Sequence, residues 1–270
     1  FMSTKGIYTA VSGAIAQQNK MDTIANNLAN ANTPAFKKDR QVFKEYLTAY
    51  EKSPDVIQVP KVPASIESFY HMQGGDKAYV DGAGTFTDFS QGSLRPTGNP
   101  LDLAINGKGT FFEIATPQGV RFTRNGSFVV NQEGVLTTKQ GYPVLSNAAG
   151  DVEARSIRIP NPGPISVAGN GLIIQGNTPL QTLKLTGFNQ PQALRKVGQS
   201  MYILKESMES EQNDTPQASI MQGSLEMSNV NVVEEMTEMI KTTRTFESLQ
   251  KAIQAYDQMN GKLVNDVPKF

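Results

Sequence analysis

Residues 101–128 read LDLAINGKGTFFEIATPQGVRFTRNGSF, and their reading sets the fold class. Leu101, Leu103 and Ile105 alternate with Asp102 and Ala104, the two-residue period of a strand. Asn106-Gly107 follows, a pair that tolerates positive φ and is the strongest short signal for a tight hairpin turn. Thr110 to Ile114 reads as a second strand, Thr116-Pro117-Gln118-Gly119 as a turn, Val120 to Thr123 as a third strand, and Asn125-Gly126 as another turn. Strands at Ser127 to Val130, Val135 to Thr138, Tyr142 to Leu145, Ser156 to Ile159, Gly171 to Ile174, Leu180 to Phe188 and Met201 to Leu204 continue the pattern. Turns recurring every roughly 8–12 residues predict a mainly antiparallel all-β domain, sandwich or barrel-like, over 90–210.

Outward from this block the period changes. From Thr4 to about Ala31 apolar or small residues fall at Ile7, Val11, Ala14, Met21, Ala25 and Leu28, steps of three and four. That is one narrow helical stripe, with Thr4 placed to cap it. Asn32-Thr33-Pro34 ends it, because the residue before proline is pushed out of the helical region. Near the other end, Asn231 and Glu234 have capping-box spacing ahead of a second periodic run. That run is Val232, Met236, Met239, Ile240, Thr243, Phe246, Leu249, Ile253, Tyr256, Met259 and Leu263, with Gly261 and Pro268 read as its end. The chain is therefore expected to be α+β. Long N- and C-terminal helices pair as a coiled-coil-like layer, and the β domain lies between them. The expected segments are a helical 2–35, an extended connector with β pieces over 36–89, the β domain, a linker over 211–228, and a helical 229–270. Within the connector, Val42, Tyr46 and Leu47 have some helical spacing, whereas Pro54, Pro60 and Pro63 interleave with Val56, Ile57, Val59 and Val62 and read as extended.

Composition removes whole function classes. The 270 residues carry 25 Lys plus Arg against 25 Asp plus Glu, a net charge of zero, which argues against a nucleic-acid partner. There is no cysteine, so thiolate metal sites and cysteine nucleophiles are absent, and one histidine, His71, makes no cluster. No run approaches the ~18–20 apolar residues of a membrane-spanning helix. The first residues lack the basic and apolar regions of a cleaved signal peptide.

The chain carries few residue patterns that suit catalysis. Gly107-Lys108-Gly109-Thr110 lacks the upstream glycine of a phosphate loop, because Asp102 stands there. Asp76, Asp81, Asp88 and Asp102 are the only carboxylates singled out for a two-acid hydrolase, and beside glycines they read first as turn and cap residues. The expectation is no enzyme, no metal, no cofactor and no small-molecule substrate. Amides are dense near the N-terminal helix: Gln17, Gln18, Asn19, Asn26, Asn27, Asn30 and Asn32. They suit hydrogen-bonded helix interfaces as well as a plain surface, and Met227, Met236, Met239 and Met259 suit adaptable packing or a simple core.

Three phrases carry a resemblance. Residues 25–37, ANNLANANTPAFK, closely resemble the N-terminal signature of bacterial flagellar axial proteins. Residues 223–236, GSLEMSNVNVVEEM, resemble the C-terminal signature of the same family. Between them Gly98 to Ile105, Gly107 to Gly109 with Phe111-Phe112, and Phe122 to Phe128 look like the shared β-domain box. The length, with one middle domain, is like that of the larger rod subunits. Thr97 to Asp102, Gly141 to Leu145 and Met236 to Ile240 look more like the proximal subunit. The room between Phe36 and Leu94 looks like the distal one. Ala35 departs from the pattern, since the family usually has Gly there and Ala disfavours positive φ.

The resemblance implies a structural subunit of the flagellar rod, a drive shaft transmitting torque from rotor to hook. Its implied partners are its own copies and other rod subunits in a helical lattice, and the flagellar type III export apparatus. It implies a basal-body location spanning the periplasm, export without a cleaved signal, and no direct membrane insertion. The alternatives are a hook-associated surface protein and a peptidoglycan hydrolase. The subunit interface is assigned to Ile7, Val11, Met21, Asn26, Asn27, Leu28 and Asn30, with Val232, Met236, Met239, Ile240, Phe246, Ile253 and Tyr256.

Overall fold

The computed structural model describes residues 4–48, 77–160, 163–205, 212–213 and 218–266. His71, Asp76 and the proline-interleaved run from Pro54 to Pro63 lie outside them, as do the side chains of Tyr46, Leu47, Asp81 and Leu263. Two long helices bracket the chain: α1 (Thr4–Ala29, 26 residues) and α2 (Val232–Asp266, 35 residues). Between them lie antiparallel strand pairs, so the α+β class holds. The chain divides into two compact units. One comprises 1–25, 41–85 and 236–270, and the other 26–40 and 86–235.

In the first unit α1 and α2 touch. Two of the α1 positions that meet α2 are glycines. Gly6 faces the Tyr256 ring, and a Cβ built there would lie 3.1 Å from it; a Cβ on Gly13 would lie 3.5 Å from Leu249. Gly6 and Gly13, like Leu249 and Tyr256, are one heptad apart, so one face of each helix supplies the contact. Lys20 Nζ reaches Glu238 Oε2 at 3.2 Å, and Thr243 Oγ1 donates to Met21 Sδ at 3.6 Å. Buried apolar residues on α1 are Ala10, Ala14, Ala16 and Ile24. Gly261 does not end α2, which runs on to Asp266: one glycine costs a helix only about 1 kcal/mol. The spacing of Val42, Tyr46 and Leu47 does not make a helix either. Residues Asp39–Thr48 form strand β1, which pairs with β2 (Lys77–Thr87).

The second unit is the β domain. Strands β3 (Leu94–Pro96), β4 (Leu103–Asn106), β5 (Thr110–Thr116), β6 (Gly119–Thr123), β7 (Phe128–Val130) and β8 (Leu136–Thr138) lie close to the expected positions, β3 excepted. They are followed by β9 (Ile165–Val167), β10 (Leu172–Gln175), β11 (Thr178–Thr182), β12 (Leu185–Phe188), β13 (Leu194–Lys196), β14 (Met201–Leu204), β15 (Gln212–Asn213), β16 (Ser219–Gln222) and β17 (Ser224–Glu226). The largest sheet has the order β13-β14-β6-β5-β12-β15. β5 lies inside it, and its successive phenylalanines face opposite sides. Phe112 joins the aliphatic core with Leu103, Ile105, Ile114, Phe128, Leu136 and Ile220. Phe111 joins an aromatic cluster with Phe122, Phe188, Leu194 and Tyr202. β5 is covered on both faces, and Glu113 in its middle is buried with the Arg155 guanidinium and the Thr186 hydroxyl as partners.

Turn chemistry differs from expectation in an instructive way. The Pro117-Gln118 turn does close the β5–β6 hairpin, with Thr116 opposite Gly119. Neither Asn-Gly pair closes one. β4 pairs with β16, not with β5, and β7 pairs with β8, not with β6. Gly126 is there for close approach instead: a Cβ on it would sit 1.6 Å from the Leu103 carbonyl oxygen. After Gly198 (φ 92°), the three-residue hairpin loop between β13 and β14 is completed by Gln199 (φ 49°) and Ser200 (φ 57°). These are left-handed values at residues with no propensity signal for them. Residues 219–226, expected within a linker, are β16 and β17. They pair with β4 and β3 because their small and apolar residues fill the core edge: Ile220, Ser224 and Leu225 are all buried.

Candidate functional site at the root of the terminal segments

Within the second unit the chain that leaves α1 and the chain that enters α2 meet. This meeting point lies wholly inside that unit. After Ala29 the backbone tightens, with Asn30 N–H shared between the Asn26 and Asn27 carbonyls and Ala31 N–H bonded to Leu28. Pro34 cannot continue the helix, and Ala35 turns the chain at φ 56°. The turn expected of a glycine is thus made by an alanine, held by burial and by its N–H, which donates to the Glu226 carbonyl at 2.8 Å.

Two asparagines pin this turn. Asn27 is buried, and its amide copies a strand pairing: Nδ2 donates to the Asp39 carbonyl at 2.9 Å and Oδ1 accepts Asp39 N–H at 3.0 Å. The same Nδ2 lies 3.3 Å from Glu235 Oε2, at the start of α2. Asn229 works from the other side. Its Oδ1 accepts Lys38 N–H at 2.8 Å, and its Nδ2 donates to the Asp88 carbonyl at 2.8 Å. Both asparagines use every amide atom, which a Lys or Glu of similar length would not reproduce.

Beneath the turn lies a fully buried ion cluster. Glu226 Oε1 accepts Lys37 Nζ at 2.6 Å and Gly92 N–H at 2.9 Å, and its Oε2 accepts Arg124 Nε at 2.7 Å. The Lys37, Glu226 and Arg124 side chains are between 0% and 1% exposed. Lys37 also donates to the Ser90 carbonyl, and Arg124 to the Thr110, Ile105 and Gly107 carbonyls. Burial, the largest influence, holds Lys37 below the usual lysine pKa, against the pull of Glu226. Lys196 adds a second tie. Its Nζ reaches Asp39 Oδ2 at 2.9 Å and the Lys37 carbonyl at 2.8 Å, and sits 3.9 Å above the Phe36 ring. α2 then starts from Asn231, whose Oδ1 accepts the N–H groups of Val233 and Glu234. Glu234 does not complete the capping box in return; its carboxylate lies 4.0 Å from Lys38 Nζ.

The residues assigned to an interface separate into groups. Asn27 belongs to the buried root, while Asn26 and Asn30 bond locally, Asn30 Nδ2 to the Asn26 carbonyl. Tyr256 and Met21 touch the opposite terminal helix. Ile7, Leu28, Met239, Phe246 and Ile253 are half-buried. Val11, Val232, Met236 and Ile240 are exposed, the last at 56%, as are Tyr8, Ile15, Val233 and Met259. Sequence reasoning did not single out Lys37, Arg124, Glu226 or Asn229 for a role, although all four lie inside the quoted signature phrases. Of the candidate acids, Asp102 is buried and accepts the Thr97 hydroxyl and Asn99 amide, and Asp88 accepts Ser90 N–H and faces Arg40. Both are turn residues. Among the described residues no group of acids or histidine could hold a metal, and no helix is long and apolar enough to cross a membrane.

Comparison with known proteins places these features. Residues 7–37 match the model described as flagella basal body rod protein, and 221–266 the flagellar basal body rod FlgEFG protein C-terminal model. Residues 104–173 match the flagellar hook protein FlgE/F/G D1 domain. The chain is 35% identical to the flagellar basal-body rod protein FlgG of Borreliella burgdorferi, across 95% of this chain and 96% of that one. It is 33% identical to FlgG of Buchnera aphidicola subsp. Schizaphis graminum, covering 95% and 97%. It is 30% identical to the basal-body rod protein FlgF of Caulobacter vibrioides, covering 98% of each. The turn at Ala35, Lys37, Glu226 and Asn229 all fall inside the two matched terminal regions.

Proposed function

This chain belongs to the flagellar basal-body rod proteins, a structural family, and from that premise we propose how it builds a rod. The terminal helices form a coiled-coil-like assembling layer. The carrying observation is the sorting of side chains on the helices. Their mutual contact sets Gly6 and Gly13 against Tyr256 and Leu249, while Tyr8, Val11, Ile15, Val233, Met236 and Ile240 stay exposed. Large apolar side chains left in water on helical spacing are surface for other subunits. Subunits meeting head to tail through unlike faces give an open helical lattice. The implied partners are its own copies, neighbouring rod subunits and the flagellar type III export apparatus. The implied place is the part of the basal body that spans the periplasm.

The test is Ile240→Asp. At 56% exposure the charge costs the free subunit little, whereas in a subunit contact it is desolvated without a partner. The expected result is a folded monomer and no rod. Normal swimming with intact basal bodies overturns the interface assignment.

Position along the rod follows the phrases at Thr97 to Asp102 and Gly141 to Leu145, and we assign the proximal segment. Mass spectrometry of basal bodies against the hook subunit checks it. A few copies fit the proximal rod, and tens of copies move the chain to the distal rod.

A further inference from the structure

The ion cluster draws its three members from remote parts of the chain: Lys37, Arg124 and Glu226. It holds two cations and one anion, and the anion comes last in sequence. Glu226 is also the end of β17, whose partner strand β3 lies well over a hundred residues earlier, and Ile220 on the preceding strand completes the aliphatic core. The chain backbone is threaded tightly here, since a Cβ on Gly92 would sit 2.0 Å from the Met227 carbonyl oxygen.

We propose that Glu226 is a closing latch: the β domain cannot reach its packed state until the C-terminal strand sets this carboxylate between Lys37 and Arg124. Until then, packing would bury two cations whose partners are carbonyl groups alone, and unpaired buried charge is among the costliest defects a core can hold. β16 and β17 therefore close together with β4, β5 and β6 and do not dock onto a finished domain. Folding waits for the last fifth of the chain. The device is independent of how subunits assemble.

Native-state amide exchange on the full chain tests it directly. The expected result is that residues 219–226 open with the same free energy as β5 and β6, as one cooperative unit. Pulse-labelled refolding should show protection of β5 and β6 appearing no earlier than that of 219–226. Opening of 219–226 at lower free energy, or protection of β5 and β6 ahead of it, overturns the proposal.

Charge variants give a second, separate reading. Glu226→Gln leaves two buried cations and is expected to lower the folding equilibrium constant roughly 100-fold or more. Lys37→Met leaves the Glu226–Arg124 pair balanced, and the Ser90 carbonyl keeps Asn229 as a donor. Its loss is expected to be at least about tenfold smaller. Equal losses overturn the latch, and if Glu226→Gln does not fold, the exchange measurements on the natural chain still decide.

Discussion

Ala35 donates its backbone N–H to the Glu226 carbonyl oxygen at 2.8 Å while its own φ stands at 56°. The hydrogen bond ties the two terminal segments, and the left-handed backbone is what aims the N–H. For a residue with a Cβ that conformation costs roughly 1–2 kcal/mol. Ala35→Gly relieves the strain but gives up a buried methyl and gains unfolded-state entropy, so its stability should stay within about 1 kcal/mol of the natural chain. Ala35→Val has neither the backbone freedom nor the space, at 0% exposure, and should lose about 3 kcal/mol. Urea unfolding of both variants decides, and a stable Val variant contradicts the turn.

Tyr202 offers a pH-dependent prediction. It is fully buried against the Phe89 and Phe111 rings, and its hydroxyl has no hydrogen-bond partner among the described residues. Burial, foremost, pushes its pKa well above the usual 10.0. A raised folded pKa means the associated stability is present in full below pH 10.0 and is lost as pH rises beyond it. Lys37 acts with the opposite sign. Its folded pKa lies below 10.5, so between the two values the unfolded chain holds more protons and stability rises with pH. Tyr202→Phe should therefore be neutral or gain about 1 kcal/mol near neutrality and should flatten the alkaline loss. Lys37→Met should steepen that loss. Denaturant midpoints measured across the alkaline range check both signs.

The helix contact yields a graded pair. Gly13→Ala adds a methyl in ordinary contact with Leu249 and removes a helix-interior glycine, a gain of about 1 kcal/mol. Gly6→Ala brings a methyl 3.1 Å from the Tyr256 ring, so the ring must shift and most of that gain should vanish. Amide exchange within α1 measures both. Slower exchange in Gly13→Ala alone is the expected outcome, and equal slowing in both variants contradicts the packing described.

Two glycines of the β-domain phrases should respond unequally. A Cβ on Gly126 would meet the Leu103 carbonyl at 1.6 Å, so Gly126→Ala is expected to lose more than about 3 kcal/mol. Gly98, at φ 75° with open space around it, should lose only about 1 kcal/mol as Ala. Thermal unfolding ranks them, and a reversed order refutes the close approach at Leu103.

Legibility followed the range of the interactions. The β5–β6 hairpin, β14 and the Asn231 cap were readable because alternation, a Pro-Gln turn and a capping side chain act over a few residues. The two Asn-Gly pairs misled. Positive-φ tolerance permits a hairpin but does not choose its partner strand, and β4 found β16 more than a hundred residues away. In the β13–β14 loop Gln199 and Ser200 themselves carry no signal for positive φ, and tertiary contacts hold them: the Thr123 hydroxyl donates to the Ser200 carbonyl at 2.9 Å.

The sequence by itself determined the α+β class, the two terminal helices with their thin stripes, and, through three phrases, the family. These are properties of periodicity and of local residue identity, which survive without knowing what touches what. Only the tertiary structure decided that Lys37, Arg124 and Glu226 share one buried cluster, that Asn27 and Asn229 pin the root of both helices, and that residues 219–226 are core strands. Ion pairs and edge strands between remote segments leave no trace in local pattern. Their energy comes from desolvation and pairing that exist only once the chain has closed.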